Sequence, residues 1–285
     1  MKFVAARSEI LTRLESVSGA VAPKNVKPIL SGIYFSMKDE STIKLVATDL
    51  ETAITTELKP KHVDGSCNFV IDARLVLEIV RNLPEGEVIF ETEENNIVIR
   101  MGSARFTLPT MDPDDFPDIE PATGGLDFTV SVSSVELMVE RVIFCAARDE
   151  FMRNLNSVYW EFDDGYLRLV AADGFRMALS EERIDLNIDD HFLLTLKSMK
   201  DLQNSLKAAM SDVMKITYDG SRVQFSFDGT EIVTKVVDAE FPDYRKVLPK
   251  SFKARVVIPT ETFSDAVRRA SIAARLGSDS VKFEI

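Results

Sequence analysis

The sequence predicts an α+β protein made of large duplicated units, each combining antiparallel sheet with packed helices. Three observations carry this. Val46-Ala47-Thr48-Asp49 and Val170-Ala171-Ala172-Asp173 lie about 124 positions apart, a spacing longer than any solenoid period. Asp115-Phe116-Pro117-Asp118 and Glu240-Phe241-Pro242-Asp243 recur about 125 apart, also beyond repeat-array periods. Between these markers the same order of short alternating strands and helical periodicity appears twice.

The elements follow in chain order. Lys2-Phe3-Val4 reads as a strand leading into a helix over 8–21. Strands are expected near 32–37, 43–47 and 52–58, then 69–72 leading into a helix over 73–82, which Pro84 helps to stop. Strands near 87–91, 96–100 and 105–110 complete the first unit. The second unit opens with a strand over 128–132 and a helix over 134–147, with Val135, Val139, Val142, Ile143 and Ala146 at helical spacing. Ser134 is the expected N-cap. Strands near 157–162, 166–172 and 176–181 follow, then 192–195 and a helix over 196–210, then strands near 214–218, 222–227 and 230–236. Asp164-Gly165, Asp219-Gly220 and Asp228-Gly229 are hairpin turns. A third unit opens with a strand over 254–258 and a helix over 260–275 capped by Thr260. The expected domains are 1–122, 123–250 and 251–285, the last incomplete, because an unpaired strand and helix cannot bury their own apolar faces.

The 285 residues carry a net charge of −12 and 45% hydrophobic residues, enough for ordinary cores. There is neither an apolar signal region nor an apolar span, so a soluble, cytoplasmic protein without a membrane partner is expected. Cys67 and Cys145 have no paired-cysteine spacing, and His62 and His191 lack companions at ligand spacing, so neither a metal nor a cofactor is expected. No phosphate-binding loop, dinucleotide fingerprint or nucleophile elbow is present, and enzyme activity is not expected. The acidic group Asp112, Asp114, Asp115, Asp118 and Glu120 lies among prolines and reads as a solvated linker. Its alternative, metal-assisted hydrolysis, is tested by exchanging Asp114 and Asp115 for Asn. Asp49 and Asp173 read as turn residues because both units carry them.

Met1-Lys2-Phe3, Val17-Ser18-Gly19, Pro28-Ile29-Leu30, Thr48-Asp49-Leu50-Glu51, Leu83-Pro84-Glu85-Gly86, Ala172-Asp173-Gly174 and the run from Phe241 to Pro249 stand in order along the whole chain. With this architecture they resemble the β subunit of bacterial DNA polymerase III, the sliding-clamp family. The resemblance implies a ring of repeated clamp domains with antiparallel sheets outside and helices lining the hole. It implies a processivity factor that encircles duplex DNA without reading its sequence. Replicative polymerase, clamp loader and repair proteins would dock through short linear peptides. The resemblance also implies a head-to-tail homodimer of three-domain chains.

Charge distribution agrees with this. Five helical segments with their flanks (5–27, 73–82, 134–153, 196–215 and 261–275) hold 16 Lys+Arg against 11 Asp+Glu, a net +5 that leaves −17 for the rest of the chain. A bore that attracts phosphate and an outer face that repels it need this separation. Resemblance and charge together give DNA-contact candidates Lys24, Arg74, Arg81, Arg148, Arg153, Lys197 and Lys200.

For the peptide groove, the family positions match Leu155, Ala172, Gly174, Phe175, Arg176, Met177, Pro242, Lys246 and Val247. Gly174 permits a close turn, Met177 supplies an adaptable wall and Arg176 can orient a peptide. Phe175 departs from the polar residue expected there and reshapes the rim. Phe106 and Ile272 match the family's dimer contacts. The alternative is a peptide-binding adaptor that does not encircle DNA.

Overall fold

The computed structural model describes residues 1–23, 27–184, 186, 188–277 and 280–284. They form two compact units, Met1–Phe241 and Pro242–Ile285. All the strands of both sequence repeats, and the helices between them, lie in the first.

The first repeat comprises β1 (Lys2–Ala6), α1 (Arg7–Ser18), β2 (Gly32–Asp39), β3 (Thr42–Thr48), β4 (Thr52–Leu58), β5 (His62–Asp64), β6 (Asn68–Asp72), α2 (Ala73–Asn82), β7 (Glu87–Glu93), β8 (Asn96–Met101) and β9 (Ala104–Met111). The second comprises β10 (Leu126–Ser131), α3 (Val132–Val142), β11 (Ser157–Asp163), β12 (Tyr166–Ala172), β13 (Met177–Arg183), β14 (Asp190–Thr195), α4 (Leu196–Leu206), β15 (Val213–Tyr218), β16 (Arg222–Phe227) and β17 (Thr230–Lys235). The result is a sheet-rich α+β protein with few helices.

Three helices start by one device: the last residue of a strand caps the helix that follows. Asp72 accepts from the Leu75 amide at 3.0 Å, Ser131 from Ser134 at 3.3 Å and Thr195 from Ser198 at 3.1 Å. Ser134 is therefore the donor, and the expected cap lies three residues too late. The Asp164-Gly165 and Asp228-Gly229 turns have positive φ at both residues, the geometry of tight hairpins.

α3 stops at Val142, short of the expected 147. The Ala147 amide donates to the Leu155 carbonyl at 2.9 Å instead of continuing the helix. α1 and α4 are likewise shorter than their apolar patterns suggest. Residues 254–258 form no strand. In the repeats, β1 pairs with β7 and β10 with β15; the described residues of Pro242–Ile285 contain no strand to play that part. This unit holds a 3-10 turn at Tyr244–Lys246 and α5 (Thr260–Ala274), which follows Pro259 without a side-chain cap.

One core runs through both repeats. Phe3, Phe35 and Phe90 fill it in the first, and Trp160, Phe192 and Phe225 in the second. The Trp160 indole N–H points to Met199 Sδ at 3.3 Å, giving a buried polar group a soft acceptor. The recurring Phe-Pro-Asp runs have a packing reason. Phe116 lies on Tyr34 of β2 with ring centres 5.1 Å apart, and Phe241 lies on Tyr159 of β11 at 5.1 Å.

The repeats share a sheet. A thirteen-stranded sheet runs β10-β15-β16-β17-β4-β3-β2-β6-β9-β8-β7-β1-β5, and β13-β12-β11-β14 form a second. The join is antiparallel pairing of β17 with β4, Ile232 opposite Ile54 and Thr234 opposite Thr52. Both isoleucines are fully buried. Thr52 Oγ1 lies 2.9 Å from Ser198 Oγ and 3.1 Å from Thr234 Oγ1, and Thr56 meets Thr230 at 3.2 Å. Hydroxyls thus satisfy one another in a dry seam, as burial requires.

Candidate functional site

The sheet join carries the helices with it. α1 packs on α2, and α3 on α4. Between the pairs, Lys197 on α4 donates to the carbonyl of Gly19, just after α1, at 2.9 Å. The helices therefore follow one another as α2, α1, α4, α3.

Their exposed faces differ in charge. α4 presents Lys197, Lys200, Asn204 and Lys207. α2 presents Arg74, Glu78 and Arg81. α1 shows Ser8, Thr12 and Glu15, and α3 shows Ser133, Leu137, Glu140 and Arg141. The cationic bias counted over the helical segments is therefore concentrated on α4, followed by α2. Lys207 was not singled out from sequence, although its i+7 spacing from Lys200 places it on the same face.

The individual cations are not equally available. Lys197 Nζ lies 2.8 Å from Asp49 Oδ2 and 3.0 Å from Asp201 Oδ2. Burial opposes its charge, but the two carboxylates outweigh burial and hold its pKa above the ordinary lysine value. Arg81 pairs with Glu15 at 2.9 Å, joining α2 to α1. Arg153 lines a cavity of about 270 Å³ with Asp49, Glu51 and Glu150. Arg74, Arg148 and Lys200 are exposed, and among the described residues no carboxylate lies within ion-pair distance of them. Lys24 lies outside the described residues.

The second feature is the β12–β13 hairpin, which brings Ala172, Gly174, Phe175, Arg176 and Met177 together. Asp173 Oδ1 accepts from the amides of Phe175 and Arg176, each at 3.0 Å. Asp173 Oδ2 accepts from Arg176 Nε at 2.9 Å. Gly174 has φ +89°, and a Cβ there would meet open space. Its need is the left-handed backbone, not a close approach by a neighbour. The first repeat makes the same turn: Asp49 Oδ1 accepts from Glu51 and Thr52, and Leu50 takes φ +77°. A non-glycine residue there costs about 1–2 kcal/mol.

Arg176 is held before any ligand arrives. Its Nη2 donates to the Phe144 carbonyl at 2.9 Å, and its guanidinium lies 5.9 Å from that ring's centre. Leu155 holds the other end of the same segment through Ala147. Phe175 is fully exposed, Phe151 is 97% exposed and Phe144 is 58% exposed. Neither Phe144, inside the expected helix over 134–147, nor Phe151, just past it, is among the groove candidates named from sequence. Pro242, Lys246 and Val247 belong to the second unit, where Lys246 pairs with Asp243 at 3.2 Å and Val247 is exposed.

Hydrogen bonds from the Phe175 amide, then Arg176, hold the Asp173 carboxylate below its ordinary pKa. A depressed carboxylate contributes stability above its unfolded pKa and loses it as pH falls through the folded value. The turn should therefore stay closed from neutral pH through the ordinary carboxylate range and open only in stronger acid. The Phe175 and Arg176 amide shifts followed by NMR report this; opening near pH 5 would contradict it.

The model for the N-terminal domain of the DNA polymerase III β subunit matches residues 1–120, and that for its central domain matches 129–243. The chain belongs to the β sliding clamp family. It is 29% identical to the β sliding clamp of Proteus mirabilis over 276 residues, covering 95% of this chain and 74% of that protein. The crystal structure of the Thermotoga maritima DNA polymerase III β subunit superposes with a TM-score of 0.93 at 43% identity, covering 100% of this chain and 77% of that one. A Pseudomonas aeruginosa clamp bound to griselimycin superposes with a TM-score of 0.89 at 26% identity, covering 95% and 74%.

Within this family the remaining site expectations have the following geometry. Phe106 lies on β9 and is 39% exposed. Ile272 lies on α5 and is exposed. The acidic linker has structural contacts: Asp112 accepts from the Asp114 amide at 3.0 Å, and Glu120 pairs with Arg222. No described helix is long and apolar enough to cross a membrane.

Proposed function

We propose that this chain encircles duplex DNA and tethers a replicative polymerase to it, with no chemistry of its own. The observation that carries this reading is the helix order α2, α1, α4, α3 alongside a sheet that crosses the join between the repeats, with cations concentrated on α4 and α2. Phosphate contacts made by Arg74, Arg148, Lys200 and Lys207 would be sequence-independent and salt-sensitive, which suits movement along DNA. Arg81 and Arg153 belong to the same proposed face, Lys24 is a DNA-contact candidate by family resemblance alone, and Lys197 has a different part. A tethered polymerase rebinds its template at high effective concentration. The site of action would be the cytoplasm, where the replicating DNA of a bacterium lies.

Repeat boundaries at 122 and 250, with a third unit from 251, fit a ring of such units. Head-to-tail assembly of two copies is supported by the repeat itself. β13 corresponds to β4 and β9 to β17; β9 pairs with β8 on one side, but along most of its other side, and along the outer side of β13, no described strand pairs with them. Ser180 on β13 is buried with its Oγ unpartnered, where the equivalent Thr56 meets Thr230 across the join. Phe106 takes the place of Ile232. Such edges are otherwise a liability, and a closed head-to-tail contact removes them. Ile272 on α5 is a contact candidate by family resemblance alone.

The hairpin surface of Leu155, Ala172, Gly174, Phe175, Arg176 and Met177 would take short apolar peptides from polymerase, clamp loader and repair proteins, and Pro242, Lys246 and Val247 are further candidates for that role by family resemblance alone. An exchangeable site suits an affinity of about 1 μM, or about −8 kcal/mol. Removing a charge-assisted hydrogen-bond donor costs about 1.5–3 kcal/mol. Arg176→Ala should therefore weaken a polymerase-derived peptide by at least roughly tenfold, measured by calorimetry, with unchanged circular dichroism. Equal affinity in the variant would remove Arg176 from the site.

A further inference from the structure

We infer that Lys197, Asp201 and Gly19 are positioning residues that set the angle between the two repeats, and with it the alignment of the helix row. The β17–β4 ladder fixes which strand edges meet. It leaves the twist free, since neighbouring strands tolerate a range of roughly 10 to 35°. A second fastening away from the ladder removes that freedom. Lys197 supplies it, gripping the carbonyl of Gly19 after α1 and the Asp49 turn, both in the first repeat, and Asp201 on its own helix.

Two further features argue that the fastening is built. Asp201 and Asp49 have side chains only 8% and 14% exposed, and burying carboxylates is costly unless they are paired. Gly19 has φ −61°, which any residue adopts. Its lack of a side chain instead leaves room for α4: a Cβ there would lie 2.4 Å from Asp201 Oδ1 and displace that carboxylate from its place beside Lys197. The Asp49 turn gains its second use here, since the equivalent Asp173 turn in the second repeat binds Arg176 instead.

The proposal rests partly on the DNA-facing reading of the row, so the test separates the two. Labels at Thr12→Cys on α1 and Asn204→Cys on α4 report the inter-repeat distance in the full chain by pulsed electron resonance; Cys67 and Cys145 are buried. Gly19→Ala, which changes no charge, and Lys197→Met should each shift or broaden that distance and raise the DNA off-rate several-fold. Lys197→Arg should retain most of the native distance. Asp201→Asn decides the sign. If Lys197 were a phosphate contact, removing its neighbouring negative charge would tighten DNA binding at unchanged distance, and that result overturns the proposal. A broadened distance with weaker DNA binding supports it. An unchanged distance in both Gly19→Ala and Lys197→Met also overturns it, whatever happens to DNA. Loss of DNA binding by the unmutated chain would sink the DNA reading alone, because the distance measurement stands without it.

Discussion

Ile232→Asp should break the join between the repeats and cost about 3–5 kcal/mol, the usual penalty for an unpaired charge in a dry site. Ile232 and Ile54 face each other at zero exposure in the β17–β4 ladder. The hydroxyls around them already satisfy one another, so a carboxylate there has no partner. Urea unfolding should change from one transition to two, because breaking the join divides the shared core into two groups, Phe3, Phe35 and Phe90 in the first repeat and Trp160, Phe192 and Phe225 in the second. Phe106→Asp is the matched control. It changes the equivalent residue of β9, which is 39% exposed, so stability should move by little more than about 0.5 kcal/mol. If the head-to-tail contact is right, the same change should weaken self-association measured by sedimentation. A large loss of stability in Phe106→Asp would show that the two positions are not equivalent.

The second large effect is electrostatic. Reversing Lys200 and Lys207 to Glu on the α4 face should lower the slope of log affinity against log salt by about 0.9 for each phosphate that is no longer neutralised. At low salt, DNA association should fall by at least roughly tenfold, since each reversal replaces an attraction with a repulsion. Reversing Arg141 on α3, where Glu140 and Leu137 share the surface, should do less. Equal effects at all three positions would mean that net charge matters and the α4 face does not. Fluorescence anisotropy with a duplex across a salt series measures both quantities.

The repeated strand and helix order was legible because it rests on local patterns: the alternation in β3 and β12, the apolar spacing of α3, and the Asp-Gly turns. The ends of helices were less so. α3 ends where the Ala147 amide turns to Leu155 and Arg176 takes the Phe144 carbonyl, both tertiary contacts. The strand expected at 254–258 failed for a related reason: a short apolar run proposes a strand, and only a partner makes one. The shared thirteen-stranded sheet was invisible, since Ile54 and Ile232 look like ordinary core residues. At the candidate site, the Asp173-Gly174 turn is a turn as its sequence suggests, but Gly174 serves backbone conformation and not space. Net charge over helical segments could not separate Lys200, which has no ion pair among the described residues, from Lys197, which is bound between two carboxylates. That distinction depends on Asp49, which lies 148 residues away in the chain.

Topological retention on DNA tests the central claim most directly. The chain, placed on a nicked circular duplex by its clamp loader and freed of unbound protein, should remain on the circle for long periods at moderate salt. It should leave rapidly once the circle is cut to a linear molecule, because its hold comes from encirclement and not from affinity. Retention that is the same on circular and linear DNA, whether long or short, would contradict the account.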